Sequence, residues 1–366
     1  MNRTRNGLVT GLVLVILLLI GGSFVFILAG DDLINAARTV LRQLALSGRD
    51  ADLALTVSDD PTPQRFRVQL GETPASIADQ LLAANLILDA DLFVDYVRAE
   101  GIDTQLEAGT FFLNQAQNIP QIALSLTDSR FSVISFTVFP GWRIEQVAEA
   151  IDANPLFAFK GADFLAVVGT GAPIDPVFAA QVGLPTGASL EGFLYPDTYQ
   201  LDPDITPEAL RDTLLTAFTQ AVIEPLGTAA AASGYTLFEH VIMASIVQRE
   251  AVRLDEQPKI AGVYFNRLAI NMKLDADPTV QYPLGDTRGS WWARITAADY
   301  QGVVDGYNTY LYAGFPPGPI ANPGLDAIRA SLYPQASEFF YFRADCRSDG
   351  YHDFARTYDE HLQNGC

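Results

Sequence analysis

Residues Gly7 to Gly30 run for 24 positions without a charged side chain, and this stretch constrains the fold more than any other. At 1.5 Å per residue, a helix of that length crosses the roughly 30 Å hydrocarbon layer of a bilayer. Arg3 and Arg5 precede the run, and Asp31 and Asp32 follow it. The positive-inside tendency therefore predicts cytoplasmic residues 1–6, a single N-terminal transmembrane helix over 7–30, and the rest of the chain outside the cytoplasm. The alternative is a cleaved signal peptide, but Leu28-Ala29-Gly30 is a poor cleavage site. The apolar run also exceeds the about 7–15 residues of a signal h-region.

The chain has 366 residues, 49% of them hydrophobic and 18% charged, enough for a buried core spread over two or three domains. Its net charge of −20 argues against nucleic acid as a partner, because phosphate binding needs a basic patch. Residues 31–63 read as a linker, with a helix expected over Leu33 to Leu46 and then the acidic, proline-containing run Ser58 to Pro63. Phe66 to Leu70 reads as a strand. Gly71-Glu72-Thr73-Pro74 then turns the chain into a helix bearing Ile77, Ala78, Leu81 and Leu82. From Val133, the alternation of Ile134, Phe136 and Val138 predicts a strand, and Pro140-Gly141-Trp142-Arg143 a turn into a helix with Ile144, Val147, Ala148 and Ile151. The fold class expected is α+β, with a small subdomain over 64–130 and a mixed α+β domain over 131–366.

A second helix points to chemistry. Thr236-Leu237-Phe238-Glu239 is a Ser/Thr-x-x-Glu capping box, so a helix should begin near Leu237. It leads into Ala244-Ser245-Ile246-Val247-Gln248-Arg249-Glu250. Met243, Ile246 and Val247 precede Glu250 at helical spacing, and an apolar face raises a carboxyl pKa toward the range of a general acid. A solvated surface acid is the alternative.

Around this helix lie Ser189 to Tyr199, Phe265-Asn266-Arg267-Leu268, Asp277-Pro278-Thr279-Val280-Gln281-Tyr282, Tyr307-Asn308-Thr309-Tyr310 and Pro316 to Gly324. With these blocks in order, residues 64–366 resemble the YceG-like family of endolytic murein transglycosylases. That family often carries an acid where this chain has Gln248, so Glu250 is left as the catalytic residue of its block. The resemblance implies a bacterial, membrane-anchored lyase without a cofactor, acting on peptidoglycan glycan strands. One acid protonates the bond between N-acetylmuramic acid and N-acetylglucosamine. The same group then deprotonates the C6 hydroxyl that closes a 1,6-anhydro ring.

In the same frame Glu191, Asn266, Asp277, Thr279, Gln281, Tyr282, Tyr307, Asn308 and Asn322 are candidate substrate-binding residues. Amides suit N-acetyl and hydroxyl groups, and tyrosines suit pyranose faces. Turn formation and core packing are their structural alternatives. Residues 64–130 resemble a LysM-like glycan-binding module, with an ordinary packing subdomain as the alternative. Trp291 and Trp292 are an added sugar platform or a local cluster.

Cys346 and Cys366 are assigned to a disulfide, the usual fate of paired cysteines outside the cytoplasm. The alternative is zinc held by Cys346, His352, His361 and Cys366. A structural role is the default for the two histidines, which match the family's tail pattern. The runner-up function is a non-catalytic peptidoglycan-binding scaffold that recruits peptidoglycan synthases. A muramidase would need a second carboxylate facing Glu250.

Overall fold

The computed structural model describes residues 46–128, 132–347 and 349–364. The expected transmembrane helix, the linker as far as residue 45, and Cys366 lie outside the described residues. Among the described residues no single helix is long and apolar enough to cross a membrane. The chain divides into two compact units, Met1–Ser132 and Val133–Cys366, both mixing helices with short strand pairs.

The first unit runs β1 (Gln64–Val68), α1 (Pro74–Ala83), α2 (Ala90–Ala99), β2 (Gly109–Leu113) and α3 (Ile119–Ser125). Each helix starts where its cap dictates. Thr73 Oγ1 accepts the Ser76 N–H, with Pro74 at the first helical position. Asp89 caps α2, and Asn118 and Gln121 cap α3 reciprocally. β1 and β2 pair antiparallel, from Gln64 opposite Leu113 to Val68 opposite Gly109. Phe66, Val68, Ile77, Leu81, Phe93 and Phe111 form the core. Part of the expected linker is tied to this unit. Leu53 is buried in its core, Arg49 pairs with Asp89 at 2.6 Å, and Ser58 Oγ bonds Gln115 at 2.9 Å.

The second unit opens with β3 (Ile134–Thr137), whose Ile134 and Phe136 are buried as their alternation predicts. Helices α4 (Ile144–Ala153), α5 (Gly161–Val168) and α6 (Pro176–Val182) follow. Then comes β4 (Thr198–Leu201), antiparallel to β3. Next come α7 (Pro207–Phe218), a π turn at Thr219–Ile223, α8 (Glu224–Ser233), α9 (Leu237–Glu250), α10 (Gln257–Ala269), α11 (Asp277–Leu284) and α12 (Leu325–Leu332). The tail is an antiparallel pair, β5 (Tyr341–Ala344) with β6 (His352–Ala355), ending in α13 (Tyr358–Gln363).

Helix α9 is the axis of this unit. The capping box forms, with Thr236 Oγ1 accepting the Glu239 N–H and Glu239 accepting the Thr236 N–H. Its residues from His240 through Val247 are all buried, as expected for a helix surrounded on every side. α12 and α10 pack against it. Three polar side chains of α9 are spent on neighbours. His240 bonds Ser233 and Ser331, Ser245 Oγ accepts the Ile320 N–H, and Gln248 Oε1 accepts the Gly324 N–H. The last two of these bonds hold the proline-rich loop 316–323 and its end at Gly324 against the helix. Gly192, at φ +90°, lies where a Cβ would meet Pro319 at 2.6 Å and Val241 at 2.7 Å, so this crossing admits only glycine.

Candidate active site

Glu250 is the last residue of α9, where the chain leaves the helix through an extended Ala251. Its carboxyl therefore sits at the end of a rigid, fully packed rod, partly accessible to a cleft of about 520 Å³. That volume lies within the range of small-molecule sites, roughly 300–1,000 Å³. Helix α10 supplies Tyr264 and Arg267, one turn apart and both facing the cleft. The Tyr264 hydroxyl donates to Glu250 Oε1 at 2.9 Å.

Burial raises the Glu250 pKa to about 7, the Tyr264 hydrogen bond opposes the rise, and the charge of Asp277 adds to it. The apolar wall of the cleft comes from Tyr264, Leu274 and Phe342, brought in from α10, the following loop and β5. Tyr264 itself is pushed well above the usual phenol range by burial and so stays a donor.

Three further groups complete the cleft. Asp277 opens α11, and its Oδ1 accepts the Tyr310 hydroxyl at 2.6 Å. Arg267 donates to the carbonyls of Phe340 at 2.6 Å and Leu274 at 2.6 Å, which fastens β5 and the 273–275 loop to α10. From the tail come Phe342, Arg343, His352 and His361. His352 Nδ1 is 2.9 Å from Glu256 Oε2. Burial, with Arg343 and Arg267 nearby, holds His361 below the usual imidazole range, so its ring is neutral at physiological pH.

Of the sequence-derived binding candidates, Asp277 lines the cleft beside Glu250. Tyr310, from the same family blocks, lines it too. The others do not line it, because their polar groups brace the scaffold. Asn266 Nδ2 donates to the carbonyls of Ser337 and Phe339, both at 2.9 Å. Thr279 is fully buried against Ala276 and Thr309. Gln281 donates to the Ala293 carbonyl at 3.0 Å, and Asn308, also fully buried, donates to the Val303 carbonyl at 2.8 Å.

Glu191, Tyr282, Tyr307 and Asn322 gather in a separate cluster, with Glu191 and Asn322 buried and the two tyrosines half-buried. Asn322 Oδ1 accepts the N–H groups of Gly192 and Leu194, both at 3.0 Å, and its Nδ2 reaches Glu191 Oε1 at 3.3 Å. The rings of Tyr282 and Tyr307 lie 4.6 Å apart. Burial lifts Glu191 to about 8, helped by Glu145 and opposed by Arg143.

Trp291 and Trp292 form a local cluster. Arg143 lies over Trp291 at 4.7 Å and Arg249 over Trp292 at 4.0 Å, and the Trp291 indole N–H donates to Glu149 at 2.9 Å. Cys346 is disulfide-bonded. The chain's other cysteine, Cys366, lies outside the described residues.

Sequence reasoning missed Tyr264, Arg267, Tyr300, Phe342 and Arg343 as cleft walls and gave His352 and His361 structural roles. Tyr264 and Arg267 carried a usable signal, since they stand three positions apart on one helix and Arg267 lies in a block already singled out. The tail residues carried none, because only the β5–β6 pairing brings them to a helix end about a hundred positions earlier in the chain.

An α+β domain that offers one carboxyl with a near-neutral pKa, held by a tyrosine in an open polar cleft, can carry general acid–base chemistry. A model of the YceG-like family matches residues 66–365, and the chain belongs to that family. A Bacillus subtilis protein named endolytic murein transglycosylase is 29% identical over 315 residues, 83% of this chain and 84% of that relative. A Streptococcus pneumoniae protein of the same name is 26% identical over 317 residues, 80% of this chain. The chain spans 56% of that longer relative. A crystal structure of a YceG-like protein from Listeria monocytogenes aligns with a TM-score of 0.57 and 28% identity. That alignment covers 84% of this chain and 100% of the other.

Proposed function

We propose that the chain is an endolytic lytic transglycosylase of peptidoglycan, with Glu250 as its single acid and base. The observation that carries this reading is the Glu250 pKa of about 7 in a cleft. Such a group is substantially protonated at neutral pH and equally able to take a proton back. Protonated Glu250 donates to the glycosidic oxygen, and the bond from that oxygen to C1 of the muramyl sugar breaks. The substrate's N-acetyl group stabilises the positive charge at C1. The Glu250 carboxylate then takes the proton of the C6 hydroxyl, whose oxygen closes onto C1. Water is neither consumed nor released, and the new end is a 1,6-anhydro sugar.

Mass spectrometry of fragments released from purified sacculi tests this: anhydro ends are expected. A second reading rests on Asp277, a second carboxylate in the same cleft, which would permit hydrolysis. Reducing ends, heavier by one water, would favour that reading over transglycosylation. No cleavage at all would leave the peptidoglycan-binding scaffold.

The remaining proposals concern placement. Gly7–Gly30 anchors the chain, with the N-terminus cytoplasmic and the cleft facing nascent strands outside the membrane. The strand-and-helix arrangement of residues 64–125 supports a LysM-like role in holding N-acetylated glycan. Peptidoglycan synthases are the partners that a protein so placed would meet.

A further inference from the structure

We propose that Arg343 is a specificity-determining residue that receives a carboxylate borne by the muramyl sugar. The source is either the lactyl group of a peptide-free strand or a stem peptide. The inference rests on the glycan-cleaving function proposed above and names the substituent that this cleft selects.

Arg343 lies in β5 and lines the Glu250 cleft. The chain has 43 acidic and 23 basic residues, yet this guanidinium makes no hydrogen bond or ion pair among the described residues. Two other arginines near the site are committed: Arg267 donates to three backbone carbonyls, and Arg143 is held by Glu145 and the Tyr282 carbonyl. Arg249 lies over the Trp292 ring and does not line the cleft. Asp353 faces Arg343 across the β5–β6 register, and no ion pair joins them.

The charges around the cleft leave Arg343 a distinct part. Glu250, Asp275 and Asp277 line it as acids. His352 is turned to Glu256, and His361 is kept neutral by burial and by Arg343 and Arg267. Among the described residues, Arg343 is therefore the cation lining the cleft whose guanidinium donors are unspent. A guanidinium fork matches a carboxylate through two parallel hydrogen bonds. In the alternating glycan only the muramyl sugar carries a carboxyl group, on its lactyl ether, free or extended by a peptide that ends in further carboxylates. N-acetylglucosamine has none. An uncommitted arginine thus distinguishes the two sugars and sets which one enters the cleavage subsite.

The test uses the full chain on three glycans: strands with stem peptides, strands stripped by an amidase, and stripped strands whose lactyl carboxylates have been converted to methylamides. The wild type is expected to favour a carboxylate-bearing strand over the neutralised one by roughly tenfold to a hundredfold in kcat/KM, carried by KM. Preference for stripped strands identifies the lactyl group. Preference for peptide-bearing strands, with stripped and neutralised strands alike, identifies the stem peptide.

In Arg343→Gln that preference is expected to collapse toward one, and in Arg343→Lys to be intermediate, because charge remains without the fork. Should Arg343→Gln fail to fold, Arg343→Lys is read instead. A preference unchanged in the variant, or absent from the wild type, overturns the proposal. A wild type that cleaves none of the three strands overturns the glycan-cleaving function itself.

Discussion

A carboxyl with a pKa of about 7 is set by opposing neighbours, and each can be removed. The Tyr264 hydroxyl donates to Glu250 and favours the charged form, while burial and Asp277 favour the neutral one. General-acid activity requires the protonated form, so kcat/KM should fall as pH rises through the Glu250 pKa. Tyr264→Phe deletes the hydrogen bond and leaves the burial. The alkaline limb of the pH–rate profile should then move to higher pH, with activity retained on its acid side. A limb that stays in place, or moves to lower pH, would show that Tyr264 does not tune this carboxyl.

Elements differ in how plainly their sequence declares them. The start of α9 was written in Thr236 and Glu239, and the alternation from Ile134 gave β3, because caps and two-residue periods are local signals. The place of Glu250 at the end of that helix was equally local, while its catalytic role was read from the family resemblance. The fate of Asn308 or Asn266 was not local. An amide reads alike whether it faces sugar or a buried carbonyl, and the choice is made by chain segments far away in sequence.

The tail shows the same limit. β5, β6 and α13 carry Arg343, His352 and His361 to the cleft, and the disulfide at Cys346 sits in the connection between the two strands. Cys346→Ser should cost on the order of 3 kcal/mol through the loosened loop. It should also raise KM more than it lowers kcat, since binding walls move while Glu250 stays on α9. A thermal melt and steady-state kinetics check both, and an unchanged melting temperature would contradict the structural role.

At the scale of the whole molecule, the net charge of −20 keeps the protein from binding general polyanions, so proximity to its substrate must come from elsewhere. The proposed anchor supplies it by confining the cleft to strands newly made at the membrane. A form starting at Leu46 keeps Leu53 and the Arg49–Asp89 pair that complete the first unit. Against the full chain, it should cleave isolated sacculi equally well but lose activity on strands extruded at membranes. Equal rates on both would reduce the anchor to a retention device.

The central claim is that one carboxyl performs the cleavage. Glu250→Gln is nearly isosteric, and its amide can still accept the Tyr264 hydrogen bond, but it cannot supply the proton. The measurement is release of anhydro-ended fragments from purified sacculi by the folded variant. A fall of about 10²–10⁴-fold at an unchanged melting temperature is predicted, and cleavage comparable with the wild type's would contradict the assignment.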